Sequence, residues 1–290
     1  MGLFFDKVAI IGVGLLGGSV GLTLKARGMC GKVIGLGRSP ASVEAGLEMG
    51  AIDEAAGELV EAAAGADLVV VCTPVGSVAG VIEEVESFLE EDCVITDVGS
   101  TKQDIVRAVE QLRRAGSMFV GSHPMAGSEK KGVRNASAGL FDGATVFLTP
   151  TPSTDERTAG VIREMWERFG GKIVELEPEI HDRVMARTSH LPHIVAALLV
   201  AGLRVLEEKR MGLVGKGFLD TTRIASSDPE MWADICMSNL EEVREAVVTL
   251  RNDLDEFNLY LTEGEYEKIF EFFRSVKTLR DSFDRESPNR

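Results

Sequence analysis

The chain has 290 residues, of which 44% are hydrophobic and 27% charged, the profile of a folded globular protein of one large or two ordinary domains. A net charge of −15 argues against polyanions, both nucleic acid and anionic membrane surfaces, as partners. Any anionic ligand must then be held by a few local cations, so individual Arg and His residues become informative.

In chain order, residues 8–11 read as an apolar strand rather than a signal peptide. It runs directly into Gly12-Val13-Gly14-Leu15-Leu16-Gly17. In this context Gly12 permits the tight turn, Gly14 lets a pyrophosphate approach the backbone, and Gly17 lets helix and strand pack closely. The helix over 17–27 offers its free N–H groups and positive dipole end to phosphates, with Leu15 and Leu16 at its mouth. Strands at 32–36, 68–72, 93–97, 118–121 and 145–148 then alternate with helices at 41–49, 78–89 and 102–114. Continuous apolar strands separated by helices imply a parallel sheet covered on both faces. The Pro-rich stretch 149–154 is the expected boundary between domains 1–151 and 152–290.

The second half reads as helices at 155–169, 180–210, 229–261 and 263–279, with one strand at 172–176 and a frayed tail at 284–290. Ser227 and Asp228 are capping candidates. Long apolar helices with no sheet to cover pack on each other, so this half is expected to double as a dimer interface. Its longest apolar run, 191–203, contains Pro192 and His193 and is read as too short to span a bilayer. The fold class expected is α/β: an N-terminal Rossmann-like, doubly wound sheet plus a C-terminal all-helical dimerisation domain. Cys30, Cys72, Cys93 and Cys236 have no metal-like spacing. They read as thiols of a reducing cytoplasm.

The second strand ends in Gly37-Arg38-Ser39, with no acidic residue to bind a ribose 2′-hydroxyl. Arg38 and Ser39 can bind a 2′-phosphate, which leans toward NADP. Arg38 can equally stack on adenine with NAD bound, and both cofactors stay open. Three later segments carry chemistry. Asp97-Val98-Gly99-Ser100-Thr101-Lys102 ends a strand, where open α/β sheets bind ligands. There Ser100 and Thr101 either cap the next helix or face a substrate. His123, flanked by Gly and Pro, is read as lying in a turn beside the cofactor, where a neutral imidazole is a suitable general base. His190 and His193 share a helical face. No carboxylate or Cys stands at supporting spacing, so no metal is expected. An anion pocket of His193 with Arg223 fits better, because Arg offers a bidentate fork to a carboxylate.

Together these segments, with Cys72-Thr73-Pro74-Val75, His123-Pro124-Met125-Ala126-Gly127-Ser128-Glu129 and Thr222-Arg223-Ile224-Ala225-Ser226-Ser227-Asp228, resemble the prephenate/arogenate dehydrogenase family of tyrosine biosynthesis, in order and over almost the whole chain. The resemblance implies NAD(P)-dependent oxidative decarboxylation of prephenate by a cytoplasmic homodimer. His123 would remove the proton of the ring hydroxyl, and Ser100 would orient that hydroxyl. Arg223 would hold the ring carboxylate and His193 the pyruvyl side chain. Glu129, Asp220 and Thr101 would shape the substrate pocket, and Thr73 and Pro74 the nicotinamide side. The resemblance and the histidine at 193 lean toward prephenate. An acidic residue near the amine would favour arogenate, with Glu129 or Asp182 as candidates, and dual use stays open. A β-hydroxyacid dehydrogenase would need a lysine on an early helix of the second domain, and 180–203 has none. A non-catalytic NAD(P)-binding sensor is the alternative of another class.

Overall fold

The computed structural model describes residues 4–127, 130–205 and 212–286, with side chains to residue 283. Eight strands form a single sheet: β1 (Phe5–Ile11), β2 (Cys30–Leu36), β3 (Glu54–Ala55), β4 (Leu68–Val71), β5 (Val94–Asp97), β6 (Phe119–Pro124), β7 (Thr145–Thr149) and β8 (Lys172–Glu175). Their order is β3-β2-β1-β4-β5-β6-β7-β8. Strand order reverses between β1 and β4, and the crevice there, beyond the carboxyl ends of the strands, is where open α/β sheets bind ligands.

Period-2 alternation sends Val8 and Ile10 of β1 to one face and Ala9 and Ile11 to the other, all but Ile11 with no exposure. On the first face they join Val20 and Leu24 of α1 (Leu15–Ala26) and Ile162, Met165 and Trp166 of α7 (Glu156–Arg168). On the second they meet Val78, Ile82 and Val85 of α4 (Val78–Val85) and Ile105, Val106 and Val109 of α5 (Gln103–Glu110). Helix α2 (Pro40–Glu48) follows β2, α3 (Leu59–Ala63) precedes β4, and α6 (Ala115–Met118) precedes β6.

Three expectations change. The sheet is mixed, because β7 runs antiparallel to β6. His123 is not in a turn: it lies within β6, opposite Phe147 of β7. The stretch 149–154 does not end the sheet either. The chain returns through α7, capped by the Asp155 side chain, and β8 pairs in parallel with β7. Prolines punctuate the backbone there, but the apolar face of α7 still finds the sheet.

The expected helix over 180–210 is α8 (Pro178–Met185), a wide π turn (Ala186–His190) and α9 (Leu191–Gly202). Pro192 has no N–H to give the preceding turn, and its ring crowds the carbonyl four residues back, which the wider turn relieves. Read through that turn, Pro178–Val205 spans 28 residues, and an 18-residue window within it reaches a mean hydropathy of 1.3, long and apolar enough to cross a membrane by length and composition alone. That corrects the shorter reading of 191–203. The π turn keeps the histidines and Asp182 of this helix within one continuous rod.

After α10 (Lys216–Thr222), the expected helix over 229–261 divides at Asn239 into α11 (Pro229–Ser238) and α12 (Leu240–Glu263). Asp228 caps α11, accepting from the Met231 N–H at 2.8 Å. Helix α13 (Tyr266–Glu286) runs into the tail expected to fray, of which 287–290 lie outside the described residues. The chain forms two compact units, Met1–Glu242 and Val243–Arg290. The second is a helical pair in which Phe257 of α12 meets Phe272 and Phe273 of α13, with ring centroids 5.0 and 5.8 Å apart. Leu254, Leu259, Phe270, Phe273, Val276 and Leu279 of this pair stay exposed.

Candidate active site

The glycine loop is shaped by contacts that only glycine allows. Gly12 has φ +108°, and a Cβ there would lie 2.5 Å from the Cys72 carbonyl oxygen. A Cβ on Gly17 would lie 2.1 Å from the Gly12 carbonyl oxygen. Gly14, by contrast, faces open space, with nothing within 4 Å of such a Cβ. No side chain caps α1 at Gly14, so the N–H groups of Leu15, Leu16 and Gly17 keep their donors for a ligand. Beside this loop, across the β1–β4 pairing, the Thr73 hydroxyl is buried without a hydrogen-bond partner, next to exposed Pro74. An open approach over Gly14, a free helix terminus and an orphaned hydroxyl together fit a dinucleotide. Arg38 and Ser39 are exposed at the end of β2, where the adenine ribose would lie.

The second half of the site stands at the ends of β5 and β6. Asp97 and Lys102 form an ion pair with both side chains at 0% exposure. Asp97 also accepts from the N–H groups of Gly99 at 2.8 Å and Ser122 at 3.0 Å, tying the Ser100 loop to the strand that carries His123. Ser100 is half-buried at the tip of that loop. Thr101 is 1% exposed, and its hydroxyl donates to Ser238 at 3.0 Å, so its side chain anchors α11 instead of facing the pocket.

Neither Ser100 nor Thr101 caps α5. The Asp182 carboxylate of α8 does, accepting from the N–H groups of Lys102 at 2.8 Å and Gln103 at 2.9 Å. Asp182 is therefore buried and committed to a helix terminus, which removes it as a candidate for an amine-binding acid. Its Oδ1 also lies 2.7 Å from His181 Nδ1, and His181 Nε2 lies 2.9 Å from His123 Nδ1. Burial holds the His123 imidazole well below its usual proton affinity, and His181, Lys102 and His190 add to the effect. His181 is lowered chiefly by burial, with Asp182 opposing. His123 is thus neutral at physiological pH.

Sequence reasoning missed His181. The available signal was a His-Asp pair on the inward face of a helix, since Pro178, His181, Asp182 and Met185 form its buried stripe.

Around the π turn, His193 stacks on Trp232 at 3.8 Å and donates from Nδ1 to the Ser189 carbonyl at 3.0 Å. Burial lowers its proton affinity, the Ser189 hydrogen bond opposes this, and the Arg223 charge lowers it further. His190 is 1% exposed. Its Nδ1 lies 3.2 Å from the Asn239 amide, which also donates to the Asp182 carbonyl at 2.8 Å. Asp220 is exposed and paired with Lys216 at 2.5 Å. Glu129 lies outside the described residues. Among the described residues no group of three His, Cys, Asp or Glu side chains could hold a metal ion. Cys30, Cys72, Cys93 and Cys236 are free thiols.

The fold and this site define a nucleotide-dependent dehydrogenase: a sheet with a glycine loop at its switch point and a buried neutral histidine at its carboxyl edge. Comparison with known proteins narrows the class. Residues 20–175 match the family model of the prephenate dehydrogenase nucleotide-binding domain, and residues 177–275 that of its dimerization domain. The prephenate dehydrogenase of Bacillus subtilis is 36% identical over 95% of this chain and 76% of its own length. The cyclohexadienyl dehydrogenase of Zymomonas mobilis is 30% identical over 95% of both chains. The crystal structure of A. aeolicus prephenate dehydrogenase in complex with hydroxyphenyl propionate and NAD+ superposes with a TM-score of 0.90 at 34% identity, covering 98% of this chain and 100% of that one. The chain belongs to the prephenate dehydrogenase family.

Proposed function

We propose that this protein converts prephenate to 4-hydroxyphenylpyruvate and CO2. The observation that carries the reading is a neutral, buried His123 held by His181 at the strand ends where this fold binds its cofactor. NAD or NADP, when bound, accepts the hydride from the ring carbinol carbon. Gly12, Gly14, Leu15, Leu16 and Gly17 would cradle its phosphates, Arg38 and Ser39 its adenine ribose, and Thr73 and Pro74 its nicotinamide end. His123 Nε2 takes the proton of the ring hydroxyl as that carbon becomes carbonyl-like. The ring C–CO2 bond then breaks, its electron pair enters the ring, and the resulting phenolate takes the proton back, so the step consumes no net proton. Ser100 orients the hydroxyl, and Arg223 holds the ring carboxylate until it leaves. By the family resemblance, Asp220 would help shape the substrate pocket. Positioning and a base of suitable proton affinity supply the rate, and aromatisation drives it.

A second reading, arogenate, has one observation in its favour. With Nδ1–H committed to Ser189, a neutral His193 presents only an acceptor at Nε2. An ammonium can donate to that nitrogen, whereas the keto oxygen of prephenate, itself an acceptor, finds a donor there only if His193 is protonated. The sequence-based argument that His193 suits a keto acid therefore reverses at neutral pH.

We also infer a homodimer. The exposed apolar side chains of α12 and α13, and Leu198, Leu199 and Val200 of α9, support it, as does the match to a dimerization domain.

The test is to follow nicotinamide reduction with prephenate and with arogenate, each with NAD and NADP. Reduction with prephenate supports the first reading, and reduction with arogenate alone replaces it with the second. No reduction with either overturns both and leaves the cofactor-binding sensor. Light scattering checks the dimer.

A further inference from the structure

We propose that His181 is a positioning residue for the reaction: anchored by Asp182, it fixes His123 in the tautomer that leaves Nε2 free to accept the substrate's proton, and it shares the charge while His123 holds that proton. This rests on the reading of His123 as the proton acceptor.

The proton positions follow from a chain of one-way constraints. A carboxylate can only accept, so the 2.7 Å contact to Asp182 puts the His181 proton on Nδ1. A neutral His181 then has a bare Nε2, which can also only accept. The 2.9 Å contact to His123 Nδ1 therefore requires Nδ1–H on His123. In a neutral ring that leaves Nε2 as the lone pair. Without His181 both tautomers of His123 would be open, and the Nε2–H form cannot act as the base.

Asp182 is well fixed for this duty, since two backbone N–H groups at the start of α5 hold its carboxylate and the helix dipole there favours negative charge. The same carboxylate thus sets both the His123 tautomer and the end of the Ser100 loop. When His123 takes a proton, its Nδ1–H can shift toward His181, whose Nδ1–H faces the carboxylate. The new charge then spreads over two rings beside an anion. The buried Asp97–Lys102 pair and His190 also face this cluster, and Phe147 packs against both rings at 6.2 and 5.4 Å.

A structural role alone would make His181 a filler between Phe147 and His123, and the test separates the two. Long-range 1H–15N spectra of histidine-labelled enzyme read the tautomer directly, without turnover. The expected wild-type spectrum has His123 protonated on Nδ1 and bare on Nε2 from pH 6.5 to 8.5. His181→Leu should mix the tautomers and lower kcat about 10²- to 10⁴-fold, the range a positioned general base contributes, with KM within about threefold. His181→Gln, whose amide can both accept and donate, should recover most of kcat and the Nδ1–H form. A wild-type His123 protonated on Nε2 overturns the proposal. So does a His181→Leu enzyme that keeps the Nδ1–H form with kcat within threefold of wild type. If His181→Leu fails to fold, the wild-type tautomer and the His181→Gln variant decide it. If the wild type turns over neither substrate, the function fails while the spectrum still judges the tautomer.

Discussion

Lys102→Met is the sharpest test of how the site is held. Lys102 and Asp97 are both fully buried. Methionine keeps the length of the lysine stem but removes its charge. Asp97 would keep the Gly99 and Ser122 N–H groups as neutral partners and lose its only cation among the described residues. Leaving a buried charge without its partner costs about 3–5 kcal/mol, a large share of the roughly 5–15 kcal/mol that holds a domain together. In the double variant Asp97→Asn/Lys102→Met neither side chain of the pair carries a charge. One backbone N–H is left unpaired, at a cost of about 1–3 kcal/mol, so the double variant should be more stable than the single. Urea unfolding followed by circular dichroism at one fixed protein concentration measures both. A single variant within about 1 kcal/mol of wild type, or one more stable than the double, refutes the reasoning. Lys102 is also among the charges that depress His123, so its removal should move the acid limb of kcat/KM to higher pH.

Further predictions concern the other parts of the site. The His190 proton affinity is lowered from 6.5 to about 4, mainly by burial. Its folded value lies below the unfolded one, so its contribution is fully present above pH 6.5. It is lost as pH falls toward 4, on the order of 3 kcal/mol in all. His190→Gln should flatten that part of the stability–pH curve, and an unchanged slope would contradict it. Arg223→Ala should raise KM about tenfold or more, with kcat within a few fold, since it removes binding already present in the ground state; equal KM values refute that role. Gly12→Ala should weaken NAD(P) binding in a fluorescence titration and lower the melting temperature, because its Cβ meets the Cys72 carbonyl and its φ is left-handed. Unaltered affinity would place the phosphates elsewhere.

The sequence by itself determined what short-range chemistry encodes. Glycines at 12, 14 and 17 announce a loop that only glycine can make, and continuous apolar runs announce buried strands flanked by helices. Ser100, His123, His193 and Arg223 stood out because they fall in motifs at strand ends and on helices, in the order of a known family. Element boundaries drifted where local propensity met a tertiary demand: the Pro-rich 149–154 did not end the sheet, and Pro192 widened a turn without breaking its helix.

Only the tertiary structure decided who partners whom. His181 stands 58 residues from His123, and Asp182 stands 80 from Lys102. The local signal, a His-Asp pair on the inward face of a helix, does not say which group the imidazole meets. It gains meaning because α8 packs beside α5 and β6, bringing an acceptor to one imidazole and a carboxylate to one helix terminus. Hydrogen-bond direction, and with it the tautomer of a base, depends on atoms a few ångströms apart in space. Sequence separation carries no information about such distances until the chain has folded.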